Sequence, residues 1–363
     1  MKKIRIYLQR PWKFSDSPYY QYLRESPPHN VEYINADEFR LIQSKIKFKI
    51  NNFLKQNIKK TLRLFHGIPN AHYTKTNKQY DLIHCAHCLS LNNRPWVCDI
   101  EYAEQFFASN RIRNKKYVLN ILKKENCRRI IAWTKWSENS ILKEFPEIKN
   151  KVEIVYPGIP KQKFKKDKKK RINLLFSSRR FYFKGGLHAL EIINRLTKKY
   201  ENVYGIIVSD VPEEIIKKYS VNNKIKFLGF INKERLFKEV YPNSDIFVYP
   251  SYTDTFGFQL TEAMSFGIPV VCVGGHSRKE IIETGKTGYV VNERENLNVK
   301  SLENLEDYKD IIKEMEKKVE LLIKNRKLRE RMSNNAIKEI KKGRFSIKER
   351  NKKLERIYSE AIK

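Results

Sequence analysis

Short apolar runs alternate with amphipathic segments along most of the chain. The first series of apolar runs is KKIRIYLQ, VEYIN, YDLIHCAH, RPWVCDIEY, RRIIAW and VEIVY. The second series, after residue 171, is INLLFSS, VYGIIVS, KIKFLGF, DIFVYPS and IPVVCVG. Runs of this length, separated by segments with helical spacing such as SENSILKEFP, predict parallel β-strands joined by α-helices.

The segment YPGIPKQKFKKDKKKR separates the two series. Its proline, glycine and charge run predict a domain boundary. We therefore expect two doubly wound α/β domains, residues 1–156 and 157–345, and a terminal helix at residues 346–363 that begins at a serine cap. Doubly wound domains bind ligands at the carboxyl ends of their strands, so a cleft between the two domains is the expected site.

Composition excludes several classes of protein. The 363 residues are 40% hydrophobic, enough for a full core. No apolar run approaches the roughly 18 residues that a bilayer crossing needs, and MKKIRIYLQRPW turns polar too early for a signal peptide. The five cysteines are unevenly spaced, which indicates reduced thiols and a cytoplasmic protein, soluble or peripheral at the inner face of the cell membrane.

The chain is strongly basic, with 74 Lys and Arg against 41 Asp and Glu and a formal charge of +33. Such a field attracts nucleic acid, anionic lipid or a phosphorylated small molecule, and an Ile, Lys and Asn bias of an AT-rich genome would produce part of the excess. A nucleic-acid-binding protein is one alternative function. It is disfavoured because the aromatic residues lie inside apolar strand runs and are not interleaved with basic ones.

The stretch SYTDTFGFQLTEAMSFGIPVV contains two acids, Asp254 and Glu262, eight positions apart. DIFVYPS predicts a strand before them, residues 258–265 a helix, and Gly267 its end. Asp254 then lies at a strand's carboxyl end and Glu262 early in the helix. A helix N-terminus favours a phosphate, and a nearby carboxylate can accept hydrogen bonds from ribose hydroxyls. The stretch predicts a nucleoside diphosphate site; the alternative is that both acids only serve the helix dipole.

This stretch resembles the Glu-x7-Glu signature of the retaining GT-B glycosyltransferases of family 4, the glycosyl transferases group 1. TEAMSFGIPVV and GGHSRKEIIETGKTGYVV follow the pattern closely, and SSRRFYFKGG resembles the family's Arg-x4-Lys-Gly phosphate clamp. The resemblance is densest over residues 152–292. One departure is Asp254, where the family usually has Glu, so its contact with a donor sugar hydroxyl could shift or pass through water.

The resemblance implies a metal-independent transferase without a bound cofactor, whose co-substrate is a UDP- or GDP-linked sugar and whose acceptor is a glycan or lipid-linked hydroxyl. A GT-B sugar-nucleotide epimerase is the alternative enzyme. The implied catalytic residues are Asp254, His87, Arg179 and Lys184, and the implied donor-binding residues are Glu262, Phe256, Gly257, Phe258 and Phe230. Arg179, with Arg180 as its substitute, and Lys184 would neutralise the departing diphosphate, or they are ordinary surface charge. The last helix would cross back to the first domain.

Residues 84–88, HCAHC, contain four potential zinc ligands. Adjacent ligands on a strand end cannot easily converge on one tetrahedral centre, so no metal is predicted. YDLIHCAH instead resembles the family's Asp-x-x-His-x-His strand, whose last histidine faces the donor sugar. His87 is the predicted residue and His84 the reserve, and a plain buried histidine is the alternative.

Two further features belong to the first domain. Asp99 and Glu101 form the nearest approach to an Asp-x-Asp motif and are acceptor-side candidates, against the alternative of a solvated strand end. Residues 44–65 predict a basic amphipathic helix, which could lie on an anionic membrane surface or pack against the core.

Overall fold

The computed structural model describes residues 3–10, 14–15, 18–36, 40–41, 50, 53–54, 57, 68–108, 114–164, 171–291 and 302–363. The chain forms two compact units, Met1–Pro160 with Lys342–Lys363, and Lys161–Lys341. Of the amphipathic segment 44–65, only four residues are described, among which Ile50, Phe53 and Leu54 are exposed. The rest of that prediction lies outside the described residues.

The first unit is built on a six-stranded parallel sheet. The described strands of the whole unit, in chain order, are β1 (Ile4–Gln9), β2 (Phe14–Ser15), β3 (Val31–Tyr33), β4 (Arg40–Leu41), β5 (Ala71–His72), β6 (Leu82–Ala86), β7 (Leu89–Ser90), β8 (Trp96–Ile100), β9 (Cys127–Ala132) and β10 (Val152–Ile154). The described α-helices are Tyr19–Glu25, Lys115–Lys123, Lys135–Glu144 and Ile347–Ala361. The main sheet has the order β10-β9-β8-β6-β1-β3, and β2-β4 and β5-β7 are two-stranded parallel sheets.

The strand order of the first unit reverses between β1 and β6. Doubly wound sheets bind ligands outside the carboxyl ends of the strands at such a reversal. Every residue of β6 and β8 is buried, which is why both strands appear as continuous apolar runs in the sequence. The register pairs Ala86 with Asp99, so the carboxyl ends of these two strands carry the candidate polar residues side by side.

The second unit is a second six-stranded parallel sheet with the order β13-β12-β11-β14-β15-β16. Its strands are β11 (Ile172–Ser177), β12 (Val203–Val208), β13 (Ile225–Phe227), β14 (Ile246–Tyr249), β15 (Val270–Val273) and β16 (Gly288–Val291). The described α-helices are Gly186–Lys199, Glu213–Tyr219, Lys233–Arg235, Phe258–Ser265, Arg278–Ile281, Lys309–Lys324 and Arg326–Lys342. This is the dinucleotide-fold order, and it reverses between β11 and β14.

The Phe258–Ser265 helix has the predicted bounds and the predicted glycine at its end. Gly267 has φ 62°, its N–H donates to the Met264 carbonyl at 2.9 Å, and the Ile268 N–H donates to the Ala263 carbonyl at 3.0 Å. This hydrogen-bond pair is a Schellman motif, which satisfies the last carbonyls of the helix and turns the chain into β15.

The structure divides the chain after residues 160 and 341, whereas the sequence predicts boundaries after residues 156 and 345. The Ile159 N–H donates to the Phe345 carbonyl at 2.8 Å, and Ile159 forms a parallel bridge with Ser346. Residues 157–160 and 342–345 therefore belong to the first unit, together with the Ile347–Ala361 helix.

All eleven apolar runs that predict strands coincide with one to within a few residues, and the α/β class with two doubly wound sheets is confirmed. The strand β16 and the two small sheets are additional. The five cysteines are buried and free. Within the described ranges, the helices are too short or too polar to cross a bilayer.

Candidate functional site

Two loops of the second unit meet where the strand order reverses, one after β11 and one after β14. Lys184 lies at the end of a short 3-10 turn, Tyr182–Lys184, between β11 and the next helix. Its ammonium forms an ion pair with Asp254 Oδ1 and lies 3.3 Å from Thr253 Oγ1. The structure thus brings together a cation and an acid that are 70 residues apart in sequence.

A glycine pair makes this approach possible. Gly185 has φ 68°, and a Cβ at this position would lie less than 3.0 Å from the carbonyl oxygen of Pro250, directly after β14. A Cβ on Gly186 would likewise meet the Phe181 ring at less than 3.0 Å. The Lys-Gly-Gly sequence therefore lets the lysine loop pack directly on the backbone of the acid loop.

Asp254 is held from several sides. Its side chain is 17% exposed, its Oδ2 accepts a hydrogen bond from the Tyr249 hydroxyl, and its backbone carbonyl accepts one from Arg278 Nη1 at 2.7 Å. Burial raises the pKa of the Asp254 carboxyl, but Lys184 and the Tyr249 hydrogen bond outweigh burial, and the net pKa lies below its ordinary value. Asp254 is therefore ionised at neutral pH, and its pair with Lys184 is charged.

Arg278 and His276, which follow β15, are site residues that the sequence analysis did not identify. The Arg278 side chain is fully buried, and its Nε donates to the Val273 carbonyl at 2.7 Å, so it ties the loop after β15 to the Asp254 loop. Arg278 Nη1 lies 3.5 Å from His276 Nδ1. Hydrophobic periodicity carries no signal for a buried arginine that holds backbone carbonyls.

The His276 imidazole predicts a pH dependence of stability. Burial, followed by the charge of Arg278, lowers the pKa of His276 to about 4, so unfolding increases its proton affinity. The free energy of unfolding should decrease as the pH falls from 6.5 toward 4, and it should decrease less in His276→Asn, since Asn tolerates the φ of 47°. Burial also lowers the pKa of His188 to about 4, so part of the pH dependence of stability should remain in His276→Asn. Urea titrations at several pH values measure the free energy of unfolding of the wild type and of His276→Asn. If this free energy changed equally with pH in both proteins, the prediction would be wrong.

Glu262 lies in the Phe258–Ser265 helix with 8% of its side chain exposed, and its Oε1 is 3.1 Å from Lys233 Nζ. The helix begins after Gly257, which has φ 75° and offers no side chain to cap the first N–H groups. The Phe256 ring is buried and packs against Phe258 with 4.7 Å between ring centroids. The acid and the helix N-terminus that the sequence predicts thus belong to one element.

Arg179 and Arg180 lie in the loop after β11, which also carries Lys184, and Phe230 lies at the carboxyl end of β13. Arg179 and Arg180 are exposed directly after β11, whereas Lys184, which completes the predicted clamp, is half-buried on Asp254. Phe230 is half-buried after β13 and follows Gly229. The two arginines and Phe230 therefore border the same edge of the second sheet.

In the first unit, His87 follows β6 with φ 54°. Its Nε2 lies 3.6 Å from Glu101 Oε1, and both side chains are about one-fifth exposed, at 20% and 19%. Its ring lies edge-on to Trp133 and Tyr20, with centroids 4.8 and 5.6 Å away. The structure therefore joins two residues that the sequence analysis treated separately, a histidine and an acceptor-side acid.

His84 and Asp99 are fully buried, and this corrects their prediction as residues that meet a substrate. His84 Nε2 lies 3.3 Å from Asp99 Oδ1, and its Nδ1 lies 2.7 Å from the Tyr358 hydroxyl of the terminal helix. The physical reason is that β6 and β8 are central strands, covered on both faces. His84 is thus the buried histidine of the alternative interpretation.

Comparison with known proteins extends these observations. A family model described as glycosyl transferases group 1 matches residues 158–339. A probable sucrose-phosphate synthase of Thermosipho melanesiensis is 27% identical over 206 residues, which cover 51% of this chain and 47% of that protein. The chain spans about half to three-fifths of the length of the first curated relatives that it matches.

Two solved structures share the fold over almost the whole chain. The crystal structure of the Anabaena protein HepE in complex with UDP and glucose has a TM-score of 0.61 at 15% identity and covers 98% of this chain and 99% of its own. A glycosyltransferase from Rickettsia africae has a TM-score of 0.62 at 16% identity, with 100% and 99% covered. The fold of two Rossmann-like units is the predicted GT-B fold. Since the matching family model covers half of the sequence, including Lys184, Asp254 and Glu262, the chain belongs to the glycosyl transferases group 1.

Proposed function

We propose that this protein is a retaining, metal-independent glycosyltransferase, which moves a sugar from a nucleoside-diphosphate sugar to a hydroxyl acceptor. The observation that carries the proposal is the Lys184–Asp254 pair at the strand reversal of the second unit, beside the helix that begins at Phe258, directly after Gly257. Membership of the group 1 family and the UDP bound to the Anabaena protein support it.

The diphosphate would dock against the N-terminus of the Phe258–Ser265 helix, where N–H groups and the helix dipole favour an anion. Breaking the bond between sugar and phosphate leaves negative charge on the departing oxygens. Lys184, with Arg179, would stabilise this charge as it develops. The leaving phosphate itself would accept the proton of the incoming hydroxyl on the same face of the sugar, which retains the anomeric configuration and requires no protein nucleophile.

Asp254 would accept a hydrogen bond from a hydroxyl of the donor sugar. Its side chain is shorter than the usual Glu of the family, but Tyr249 holds its carboxylate and Arg278 holds its backbone carbonyl. Since Lys184 forms an ion pair with Asp254 in this structure, the lysine has to share its charge between the carboxylate and the incoming diphosphate. The ion pair would therefore keep the lysine in position before the donor arrives.

Glu262→Ala should weaken donor binding. If the Glu262 carboxylate accepts hydrogen bonds from the ribose hydroxyls, its loss should raise the donor KM about 10- to 100-fold, the size expected for charge-assisted hydrogen bonds, with a smaller effect on kcat. Steady-state kinetics measure this. Glu283→Ala is the matched control, because Glu283 is 49% exposed and pairs with Lys286. Equal kinetics of the two variants would contradict the assignment.

The acceptor would bind mainly to the first unit, where His87 and Glu101 lie at the strand ends. We propose a glycan or lipid-linked hydroxyl as acceptor and a UDP- or GDP-linked donor, used at the cytoplasmic side. If residues 44–65 form the basic amphipathic helix that the sequence predicts, an anionic membrane surface would bring the enzyme close to a lipid-linked acceptor.

The experiment that tests the function is an assay of purified protein against a panel of UDP- and GDP-sugars, with release of the nucleoside diphosphate as the readout. We expect release from donors of one base. Conversion of the sugar nucleotide without release would favour the epimerase alternative. Absence of release from every donor, combined with retention on immobilised single-stranded DNA and not on immobilised nucleoside diphosphate at moderate salt, would overturn the proposal.

A further inference from the structure

Asp99 is a buried carboxylate of the first unit to which the proposed function gives no role. Its side chain is fully buried, and its oxygens accept hydrogen bonds from the Tyr20 hydroxyl at 2.8 and 2.9 Å and from Trp133 Nε1 at 2.9 Å. His84 Nε2 adds a contact at 3.3 Å. A buried charge is costly unless donors surround it, so this arrangement is built around the carboxylate.

Two of these donors also enclose His87. The His87 ring centroid lies 4.8 Å from that of Trp133 and 5.6 Å from that of Tyr20, both in edge-on geometry. The backbone adds two hydrogen bonds: the His87 N–H donates to the Asp99 carbonyl at 3.1 Å, and Asn70 Nδ2 donates to the His87 carbonyl at 2.6 Å. Among the described residues, His87 and His276 are the non-glycine residues with positive φ. A strained conformation of this kind persists only where the surroundings determine it.

We propose that Asp99, Tyr20 and Trp133 are positioning residues that hold the His87 imidazole in one orientation, with Nε2 toward Glu101. Asp99 fixes the Tyr20 hydroxyl and the Trp133 indole by hydrogen bonds, and the two rings leave the imidazole a single place between them. Glu101 Oε1 lies 3.6 Å from Nε2. The consequence for catalysis rests on the proposed function, in which His87 meets the donor sugar.

The kinetic test compares two tryptophan variants. Trp133→Phe removes the indole N–H that donates to Asp99, whereas Trp96→Phe removes an equally buried indole at the start of β8. Within the part of the chain that the structure describes, no hydrogen-bond acceptor contacts Trp96 Nε1. The two changes remove the same atoms from fully buried sites in the first unit, so they separate positioning from loss of core packing.

We expect Trp133→Phe to lower kcat at least about tenfold, because a misplaced catalytic group costs one to two orders of magnitude, with the donor KM within about twofold of the wild type. Trp96→Phe should keep kcat within about twofold. Its melting temperature should be at least as high as that of Trp133→Phe, because only Trp133→Phe removes a donor from a buried carboxylate. An equal loss of kcat in both variants would overturn the proposal and leave Asp99 a purely structural role.

A second measurement does not depend on activity. Tyr20→Phe keeps the ring beside His87 and removes only the hydroxyl that donates to Asp99. In the wild type, the His87 Cε1–Hε1 NMR signal, assigned by its loss in His87→Gln, should be a single sharp peak. In Tyr20→Phe it should shift and broaden, because the imidazole then samples more than one orientation. An unchanged position and linewidth would overturn the proposal.

The two measurements also separate this inference from the proposed function. If the wild type releases no nucleoside diphosphate from any donor and the His87 signal still responds to Tyr20→Phe, the positioning role holds and the proposed function fails. If transfer is active and neither Trp133→Phe nor Tyr20→Phe affects kcat or the His87 signal, the proposed function holds and the positioning role is wrong.

Discussion

Lys184→Ala should lower kcat for sugar transfer about 10²- to 10³-fold, the loss that removal of one preorganised group at a developing negative charge produces. Lys184 is held against Asp254 and Thr253 at the strand reversal, so little reorganisation is needed when the diphosphate departs. The donor KM should rise less than kcat falls, because in the proposed site the helix N-terminus and Glu262 would still bind the nucleotide. Steady-state kinetics with saturating acceptor measure both constants.

The matched control for this variant is Lys198→Ala, an exposed lysine on the helix that follows Lys184. In a chain of formal charge +33, removal of any lysine weakens the general attraction for anions. The control measures this general effect, and it should leave kcat unchanged within about twofold. Equal kinetics of the two variants would show that Lys184 contributes only general charge and would count against the proposed leaving-group role.

Gly185→Ala should destabilise the second unit by about 2–5 kcal/mol. The left-handed backbone conformation costs an alanine about 1–2 kcal/mol, and the clash of its Cβ with backbone costs about 1–3 kcal/mol more. The clash falls on the Pro250 carbonyl, which cannot rotate away as a side chain could. Any relaxation of the clash moves the Lys184 loop away from the Asp254 loop. We therefore expect kcat to fall together with stability. Urea denaturation of the purified variant measures the change in the free energy of unfolding.

Gly229→Ala is the matched control for the glycine variant. Gly229 has φ 62°, close to the 68° of Gly185, but a Cβ there would meet nothing within 4 Å. The control therefore contains the backbone strain without the clash, and it should cost about 1–2 kcal/mol. If both variants lost the same stability, close contact between the lysine loop and Pro250 would not be what requires glycine at position 185.

The sequence predicted the elements of the second unit most completely. Its strands β11, β14 and β15 are fully buried in a parallel sheet, so they are continuous apolar runs, and its glycines mark the turns that carry the candidate site. The Phe258–Ser265 helix has the predicted bounds because a glycine precedes it and another ends it. Local chemistry along the chain was sufficient for these features.

The predictions for the first unit were less accurate where burial mattered. His84 and Asp99 are polar residues at the end of apolar runs, and a sequence does not tell whether such residues face solvent or lie beneath other elements. Tyr358, which lies 2.7 Å from His84 Nδ1, comes from the terminal helix, 274 residues away. No sequence motif marks Arg278, Tyr20 or Trp133. Arg278 binds backbone carbonyls, and Tyr20 and Trp133 contact Asp99, which is distant from both in sequence.

By itself the sequence determined the α/β class, the two series of strands, the helix that begins at Phe258 and the acids and cations of the candidate site. These follow from hydrophobic period, glycine placement and local spacing, which are properties of neighbouring residues. Only the tertiary structure decided which of these residues meet: Lys184 with Asp254, His87 with Glu101, and Asp99 with Tyr20 and Trp133. The physical reason is that the order of strands in a sheet, which brings loops together, depends on packing between distant segments and leaves no local pattern in the chain.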